Sequence, residues 1–185
     1  KEGIEKLRNS KVAIFFFFFI GADVVEGLVR AGIEDFILVD NDEVSISNIN
    51  RQIIATHNTI GMPKVEVAKN RILEINPHAN IEIYKEFFRS NTEGIIDNTV
   101  DYIVDAIDTV KCKVELIVRA KRCGTPIISA MGTGNKLAAE RFELTDLFST
   151  DKCHLARIMR KRLRKYDVTS LPVVFSSEHV LDPIE

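Results

Sequence analysis

The sequence has few cysteines and no long apolar run, and both shortages exclude classes of protein. Cys112, Cys123 and Cys153 form an odd set without a Cys-x-x-Cys pair, so we expect reduced thiols and neither a disulfide framework nor a zinc ribbon. No apolar run approaches the roughly 20 residues of a membrane span. No charged-then-apolar leader opens the chain. We therefore expect a soluble, cytoplasmic protein that has no membrane partner.

The sequence also lacks internal repeats, low-complexity linkers and a Pro/Gly-rich hinge. Its 185 residues, 45% of them hydrophobic, suffice for one sizeable core but not for two full domains. We expect one α/β domain with a main part over residues 1–135 and a C-terminal extension of the same domain over 136–185. The chain opens on Lys1 and stops at Glu185 in a turn-like run, so we expect it to be truncated within a longer protein.

Apolar periodicity alternates between the periods of strands and helices. This alternation predicts a Rossmann-like α/β fold with a mostly parallel sheet and crossover helices, followed by a smaller strand and helix extension. The predicted strands are 11–18, 36–40, 81–84, 102–105, 126–129, 141–147 and 173–176, and the predicted helices are 24–30, 63–73, 92–96, 110–122 and 155–163.

A run of polar groups follows the predicted strand that ends at Asp40. Asn48, Arg51 and Lys64 come next along the chain. A carboxylate at the carboxyl end of a strand can accept hydrogen bonds from ribose hydroxyls. The guanidinium fork and the compact ammonium charge suit phosphate oxygens. The segment 40–64 therefore predicts a site for a ribose and a triphosphate.

The glycine-rich turn that usually accompanies such a site is missing. A nucleotide fold of this type places glycines after its first strand, but residues 15–19 are five phenylalanines, and Gly21 alone remains as a turn glycine. A bulky residue held at positive φ costs about 1–2 kcal/mol. Three interpretations of residues 16–19 are open. Their rings block or remodel the phosphate pocket, or they belong to an apolar strand buried under helices. The third interpretation is an error in the recorded sequence.

These motifs resemble the adenylyltransferases related to ubiquitin-activating enzymes, a family that includes the molybdopterin- and thiamine-pathway activators. The resemblance rests on residues 40–52, 61–66 and 105–108, in the same order and spacing. Within the family, residues 44–52, 131–136 and 153–161 are most similar to the tRNA threonylcarbamoyladenosine dehydratases. The resemblance covers nearly the whole chain, but the glycine turn and the C-terminal portion are missing. The absence of paired zinc cysteines favours the dehydratase branch.

The resemblance implies ATP and Mg²⁺ as cofactors, and it gives roles to individual residues. Asp40 would hold the ribose, Asn48 and Arg51 would contact the triphosphate, Lys64 would neutralise charge on the leaving pyrophosphate, and Asp108 would lie at Mg²⁺. The implied nucleotide site comprises Gly21, Asp40, Asp42, Asn48, Arg51, Lys64 and Asp108, of which Arg51, Lys64 and Asp108 are the catalytic candidates. Asp105 is a lesser candidate at a strand end.

The implied activity is an ATP-dependent dehydratase that cyclises N6-threonylcarbamoyladenosine in tRNA through an adenylated carboxylate. Two alternatives remain open: an adenylyltransferase for the C-terminus of a sulfur-carrier or ubiquitin-like protein, and an inactive tRNA-binding relic with a blocked ATP pocket. An NAD-dependent oxidoreductase would share Asp40 but would not need Asn48, Arg51 and Lys64. The resemblance also implies a homodimer and allows a sulfur-transfer partner.

Each site residue has a structural alternative. Asp40 could cap a turn, Arg51 and Lys64 could be solvated surface charges, and Asp108 could be the N-cap of the helix predicted from Val110. Taken singly, these alternatives are the stronger ones. The order and spacing of the whole set favour the site.

The basic residues are concentrated near the C-terminus. Seven of the 25 Lys and Arg residues lie between Lys152 and Lys165, where there is no acid. A helix there would place Leu155, Met159 and Leu163 in one apolar stripe and turn the cations elsewhere. These cations are either a solvated helix face or a contact to the tRNA phosphate backbone. The predicted tRNA contacts are Arg157, Arg160, Lys161 and Arg164, on a helix spanning about 153–165.

Overall fold

The fold was analysed in a computed structural model that describes residues 2–16, 19–86 and 94–180. Helices and strands alternate along most of the chain, as the periodicity predicts. The strands are β1 (Lys11–Phe16), β2 (Asp35–Val39), β3 (Asn80–Tyr84), β4 (Tyr102–Ala106), β5 (Ile127–Ala130), β6 (Phe142–Asp146) and β7 (Pro172–Ser176). The helices are α1 (Glu2–Arg8), α2 (Phe19–Ala31), α3 (Lys64–Ile75), α4 (Val110–Cys123) and α5 (His154–Leu163).

The seven strands form one sheet in the order β3-β2-β1-β4-β5-β7-β6. All neighbouring strands are parallel except β6, which pairs antiparallel with β7. The predicted Rossmann-like, mostly parallel α/β fold is thus confirmed. The strand order runs outward from β1 to β3 and then resumes on the other side of β1 with β4. Ligands of such sheets bind where the strand order reverses in this way.

Alternate residues of the central strand pack on opposite faces of the sheet. In β1, Val12 and Ile14 join the apolar cluster under α2 and α3. Ala13 and Phe15 join the larger cluster under α4 and α5. Helices therefore cover both faces, and the loops at the carboxyl ends of the strands are left to form a site.

The start of α2 differs from its prediction. The predicted strand 11–18 ends at Phe16, residues 17–18 lie outside the described part of the chain, and α2 begins at Phe19 instead of Val24. The helix extends this far because Ile20 packs with Val24 against the apolar cluster beneath α2. Gly21 consequently lies within the first turn of α2, and its prediction as a turn glycine is wrong.

Three other elements also differ from the sequence prediction. The helix predicted over 92–96 falls partly outside the described residues, and residues 94–96 form a turn. Helix α1 was not predicted because its only large apolar residues are Ile4 and Leu7, and neither is buried. In α5, Ala156 is buried with Met159 and Leu163, whereas Leu155 is only half-buried. Within the described residues, no helix has the length and apolar character needed to cross a membrane.

A buried ion pair joins β4, β5 and α4. Asp105 Oδ2 lies 3.0 Å from Lys113 Nζ, and both side chains have zero exposure. Ser129 Oγ donates to the same carboxylate oxygen at 2.5 Å. The Ile107 backbone NH donates to Asp105 Oδ1 at 3.1 Å, and Lys113 Nζ donates to the Ile107 carbonyl at 2.8 Å. The pair therefore fixes the loop that follows β4.

We predict that Lys113→Met lowers the free energy of unfolding by about 3–5 kcal/mol, because Asp105 would remain buried without its cation. Urea unfolding followed by circular dichroism measures this change. Lys111→Met, at an exposed position of the same helix, is the matched control, expected to stay within about 0.5 kcal/mol of wild type. Equal stability of the two variants would contradict a structural role for the pair.

Candidate functional site

The predicted site residues lie on loops at the carboxyl edge of the sheet, around the end of β1. In the sheet register, Val39 of β2 and Asp105 of β4 flank Phe15 of β1. Asp40 follows Val39 directly, and Asp108 lies in the loop after β4. Two strand spacings of about 4.8 Å separate β2 from β4. One nucleotide can span that distance, so both loops can contact the same ligand.

Asp40 is a buried carboxylate with one oxygen satisfied. Its side chain is 1% exposed, and Oδ1 accepts a hydrogen bond from the Asp42 backbone NH at 2.8 Å. Oδ2 is buried and has no hydrogen-bond partner among the described residues. Burial raises the pKa of Asp40 to about 7, against the opposing effects of the Asp42 NH and the Lys64 charge. The alternative that Asp40 caps a turn accounts for Oδ1. It does not account for Oδ2, which suits a hydrogen bond from a ribose hydroxyl.

Lys64 is the first residue of α3 and is only 3% exposed. Its Nζ lies 2.8 Å from Asp42 Oδ2, and its backbone NH donates to the Asp42 carbonyl at 2.9 Å. The solvated-charge alternative for Lys64 is therefore wrong. The ammonium and the positive end of the α3 dipole together favour an anion here. Asp40, Asp42 and Lys64 form one connected cluster.

Asn48 and Arg51 lie in the loop between β2 and α3. Asn48 ends a short 3₁₀ helix and is 7% exposed. Its Oδ1 accepts from the Ser45 backbone NH at 2.9 Å, which fixes the orientation of the amide. Arg51 is exposed, and its Nη1 donates to the Ser47 carbonyl at 2.7 Å and to Asn50 Oδ1 at 2.8 Å. The loop thus holds an amide of fixed orientation and a guanidinium that contacts the loop itself.

Gln52 is a candidate binding residue that the sequence analysis missed. It is 3% exposed, and both side-chain amide atoms are buried without a hydrogen-bond partner among the described residues. Leaving buried polar groups unpaired costs about 1–3 kcal/mol each. One feature of the sequence points to this residue. Gln52 is a polar amide that lies directly between Arg51 and the apolar pair Ile53 and Ile54.

Asp108 borders a cavity of about 270 Å³ at the carboxyl ends of β4 and β5, together with Ala106, Met131 and residues 132–134. It is exposed, and its Oδ1 accepts from Thr109 Oγ1 at 3.2 Å. Thr109 is the N-cap of α4, so the alternative of Asp108 as the cap is wrong.

A magnesium site at Asp108 fits the residues around it. Among the described residues there is no group of three or more His, Cys, Asp and Glu side chains placed to hold a metal. Mg²⁺ commonly takes one or two carboxylates and fills its remaining positions with water and substrate phosphates. The single exposed carboxylate of Asp108 is compatible with that mode of binding.

The first turn of α2 lies between these two loops, at the end of β1. Gly21 is buried there, and the amino end of this 13-residue helix is a region where backbone NH groups favour an anion. The prediction that phenyl rings at residues 16–19 fill the phosphate space concerns side chains outside the described part of the chain.

The predicted tRNA contacts on α5 have different surroundings. Arg160 donates to the Thr150 carbonyl at 2.9 Å and to the Thr150 hydroxyl. The Arg164 guanidinium lies 5.5 Å from the centre of the Phe148 ring, and Arg157 pairs with His154 at 3.0 Å. Lys161 is exposed. Arg160 and Arg164 thus pack on the protein itself, and a tRNA contact by any of the four stays a prediction.

Comparison with known proteins gives consistent matches. The chain is 38% identical over 180 residues to a tRNA threonylcarbamoyladenosine dehydratase of Bacillus subtilis, covering 96% of this chain and 71% of the relative. It is 37% identical over 182 residues to tRNA threonylcarbamoyladenosine dehydratase 2 of Saccharomyces cerevisiae, covering 96% of this chain and 41% of that longer protein.

A solved structure has the same fold. The crystal structure of the Escherichia coli tRNA N6-threonylcarbamoyladenosine dehydratase TcdA in complex with ATP superposes with a TM-score of 0.95 at 29% identity, covering 99% of this chain and 79% of that one. A family model described as the ThiF family matches residues 1–166. The chain therefore belongs to the ThiF family.

Proposed function

We propose that this protein is an ATP-dependent dehydratase that cyclises N6-threonylcarbamoyladenosine in tRNA. The observation that carries the proposal is the buried Oδ2 of Asp40, which has no hydrogen-bond partner among the described residues and lies beside the Asp42–Lys64 ion pair. Asp40 can accept a hydrogen bond from the ribose of ATP, and the nearby Lys64 can neutralise the charge of its phosphates. The dehydratase relatives and the ATP complex of the similar structure support the same reaction.

The reaction has two steps. A carboxylate oxygen of the threonylcarbamoyl group attacks the α-phosphorus of ATP, and the bond to pyrophosphate breaks. An internal nucleophile of the same side chain then attacks the activated carbonyl carbon, loses its proton, and releases AMP with one former carboxylate oxygen. The net change in the nucleoside is the loss of water, and no external acceptor is needed.

The residues contribute mainly position and charge. Asp40 accepts hydrogen bonds from the ribose, Asn48 and Gln52 donate to the triphosphate, and Arg51 and Lys64 stabilise the negative charge that develops on pyrophosphate. Asp108 would hold Mg²⁺, which supplies further positive charge to the phosphate oxygens.

The proposal extends to the surroundings of the reaction. Residues 1–135 hold ATP, and residues 136–185 form an extension of the same domain. The protein works in the cytoplasm as a homodimer. A sulfur-transfer protein is its further partner, a proposal that follows from the sulfur-carrier activators in the family. These statements rest on the family resemblance and on the tRNA substrate of the relatives.

The second candidate function is activation of the C-terminal carboxylate of a sulfur-carrier or ubiquitin-like protein. It needs the same ATP site and the same adenylation step, so the geometry at Asp40 and Lys64 serves both reactions. The two functions differ in the carboxylate that attacks the α-phosphorus.

We predict that exchange of radiolabelled pyrophosphate into ATP requires tRNA that contains threonylcarbamoyladenosine. The same tRNA transcript without the modification is the matched control and supports no exchange, because it has no carboxylate to adenylate. A protein that ends in Gly-Gly should also give none. Exchange with the Gly-Gly protein alone would establish the second candidate function in place of the first.

We predict that Lys64→Met lowers the exchange rate by about 10²–10³-fold, because a preorganised charge at the leaving group is lost. Lys69→Met, on the same helix but outside the acid cluster, should leave the rate within about twofold of wild type. Both variants are assayed at saturating ATP and modified tRNA. A Lys64→Met rate close to that of Lys69→Met would remove Lys64 from the chemistry.

We predict that ATP binding strengthens as the pH rises through about 7. The pKa of Asp40 is raised in the free protein, and ribose hydroxyls donate to its ionised form, so protonation at lower pH opposes binding. Calorimetric titrations from pH 5.5 to 8.5 measure the dependence. Asp40→Asn is the control: titration of the ATP phosphates is common to both proteins, so only the Asp40 contribution should disappear. Parallel pH profiles would show that Asp40 does not bind ATP.

A further inference from the structure

A basic groove runs between α4 and the C-terminal half of α5. It encloses about 480 Å³, and its cationic lining is Lys111, Arg119 and Arg122 from α4 with Arg162 and Lys165 from the opposite wall. The floor is apolar, formed by Val114 and Val118. None of these cations is among the residues assigned to the ATP site or among the four predicted tRNA contacts on α5.

The charge in the groove is only weakly balanced. Glu115 is the one acid among the residues that line it, and this acid lies 3.5 Å from Arg119. Within the described part of the chain, Lys111, Arg122, Arg162 and Lys165 form no salt bridge. The whole sequence has a net charge of −2, so this concentration of positive charge is local. Like charges that converge from two helices repel one another unless an anion lies between them.

The length of the cationic row indicates a polyanion. Lys111 and Arg122 are eleven positions apart on α4, which corresponds to about 16 Å along a helix. A single phosphate cannot contact both ends of such a row, whereas a nucleic-acid strand places successive phosphates along it. Tyr166 lines the same groove and is 51% exposed, and an exposed aromatic ring can stack on an unpaired base.

We propose that this groove binds the phosphate backbone of the substrate tRNA, with Arg122 on α4 and Arg162 on the opposite wall as its principal contacts. The inference deepens the proposed function, because it rests on tRNA as the substrate and assigns the surface that holds it. An acidic protein segment would match the cations but would gain nothing from the exposed tyrosine. The groove binds RNA through charge, so it contributes affinity for tRNA in general and not recognition of the modified adenosine.

Fluorescence anisotropy with a labelled, unmodified tRNA transcript tests the groove. We expect Arg122→Glu/Arg162→Glu to weaken binding at least about tenfold and to reduce the salt slope of log K by about 2. Lys6→Glu/Arg8→Glu is the matched control, because it makes the same charge change on α1, which has no buried residue. It should weaken binding less than about twofold. Circular dichroism melting confirms that each variant is folded.

Three results would overturn the assignment. One is tRNA binding by the groove variant within twofold of wild type, and another is an equal loss in both charge-reversal variants. The third is loss of binding in Arg157→Glu/Lys161→Glu without loss in the groove variant, which would place the RNA on those two residues instead of in the groove.

The outcome for the groove is separate from the outcome for the reaction. Polyglutamate serves as the competitor for an acidic protein: if it occupies the groove more tightly than tRNA at equal charge concentration, the occupant is a protein. If the groove variant loses tRNA but the wild type shows no pyrophosphate exchange with modified tRNA, the proposed reaction fails while the RNA surface stands.

Discussion

A carboxylate buried at the end of a strand must find donors or a cation, and this constraint explains both the fold and the site. Asp105 meets it within the protein, because Lys113, Ser129 and the Ile107 NH satisfy its oxygens. Asp40 meets it only halfway, since one buried oxygen has no partner among the described residues. The first acid therefore stabilises the sheet, and the second keeps one oxygen that the described residues do not satisfy.

Asp40 and Asp105 each lie near a loop at the carboxyl edge of the sheet, one after β2 and one after β4. The Asp105 pair holds the loop after β4, which displays the exposed carboxylate of Asp108 beside a cavity. The loop after β2 holds Asp42 against Lys64 at the amino end of α3. The end of β1 and the first turn of α2 lie between these two loops. In the proposed reaction, the positive charge of Lys64 would stabilise the charge that develops on pyrophosphate more than it stabilises the bound substrate, and such a difference is what raises a rate.

The sequence was sufficient to predict the α/β fold, because strand and helix periods alternate clearly and the core follows them. It was also sufficient to predict that Asp40 and Lys64 belong to one group of polar side chains, and the structure links them through Asp42; their binding of ATP stays a prediction. The sequence was insufficient to identify Gln52 as a candidate binding residue. The evidence for Gln52 is that its amide is buried without a hydrogen-bond partner among the described residues, and this depends on packing. The sequence was also insufficient to predict the buried ion pair of Asp105. Its cation, Lys113, is eight residues along the chain, and its hydroxyl partner, Ser129, lies on another strand. The basic segment was recognised, but only the packing separated Arg160 and Arg164, which contact the protein, from Arg162 and Lys165, which face a groove.

The proposed reaction requires that this chain, with phenylalanine at residues 15–19, binds ATP. Calorimetric titration of the unaltered protein with ATP and Mg²⁺ at pH 8 measures it most directly. One ATP should bind per chain, with a dissociation constant in the micromolar range. An absence of binding at millimolar ATP, by a protein that is folded, would contradict it and would identify the chain as a tRNA-binding relic with a blocked nucleotide pocket.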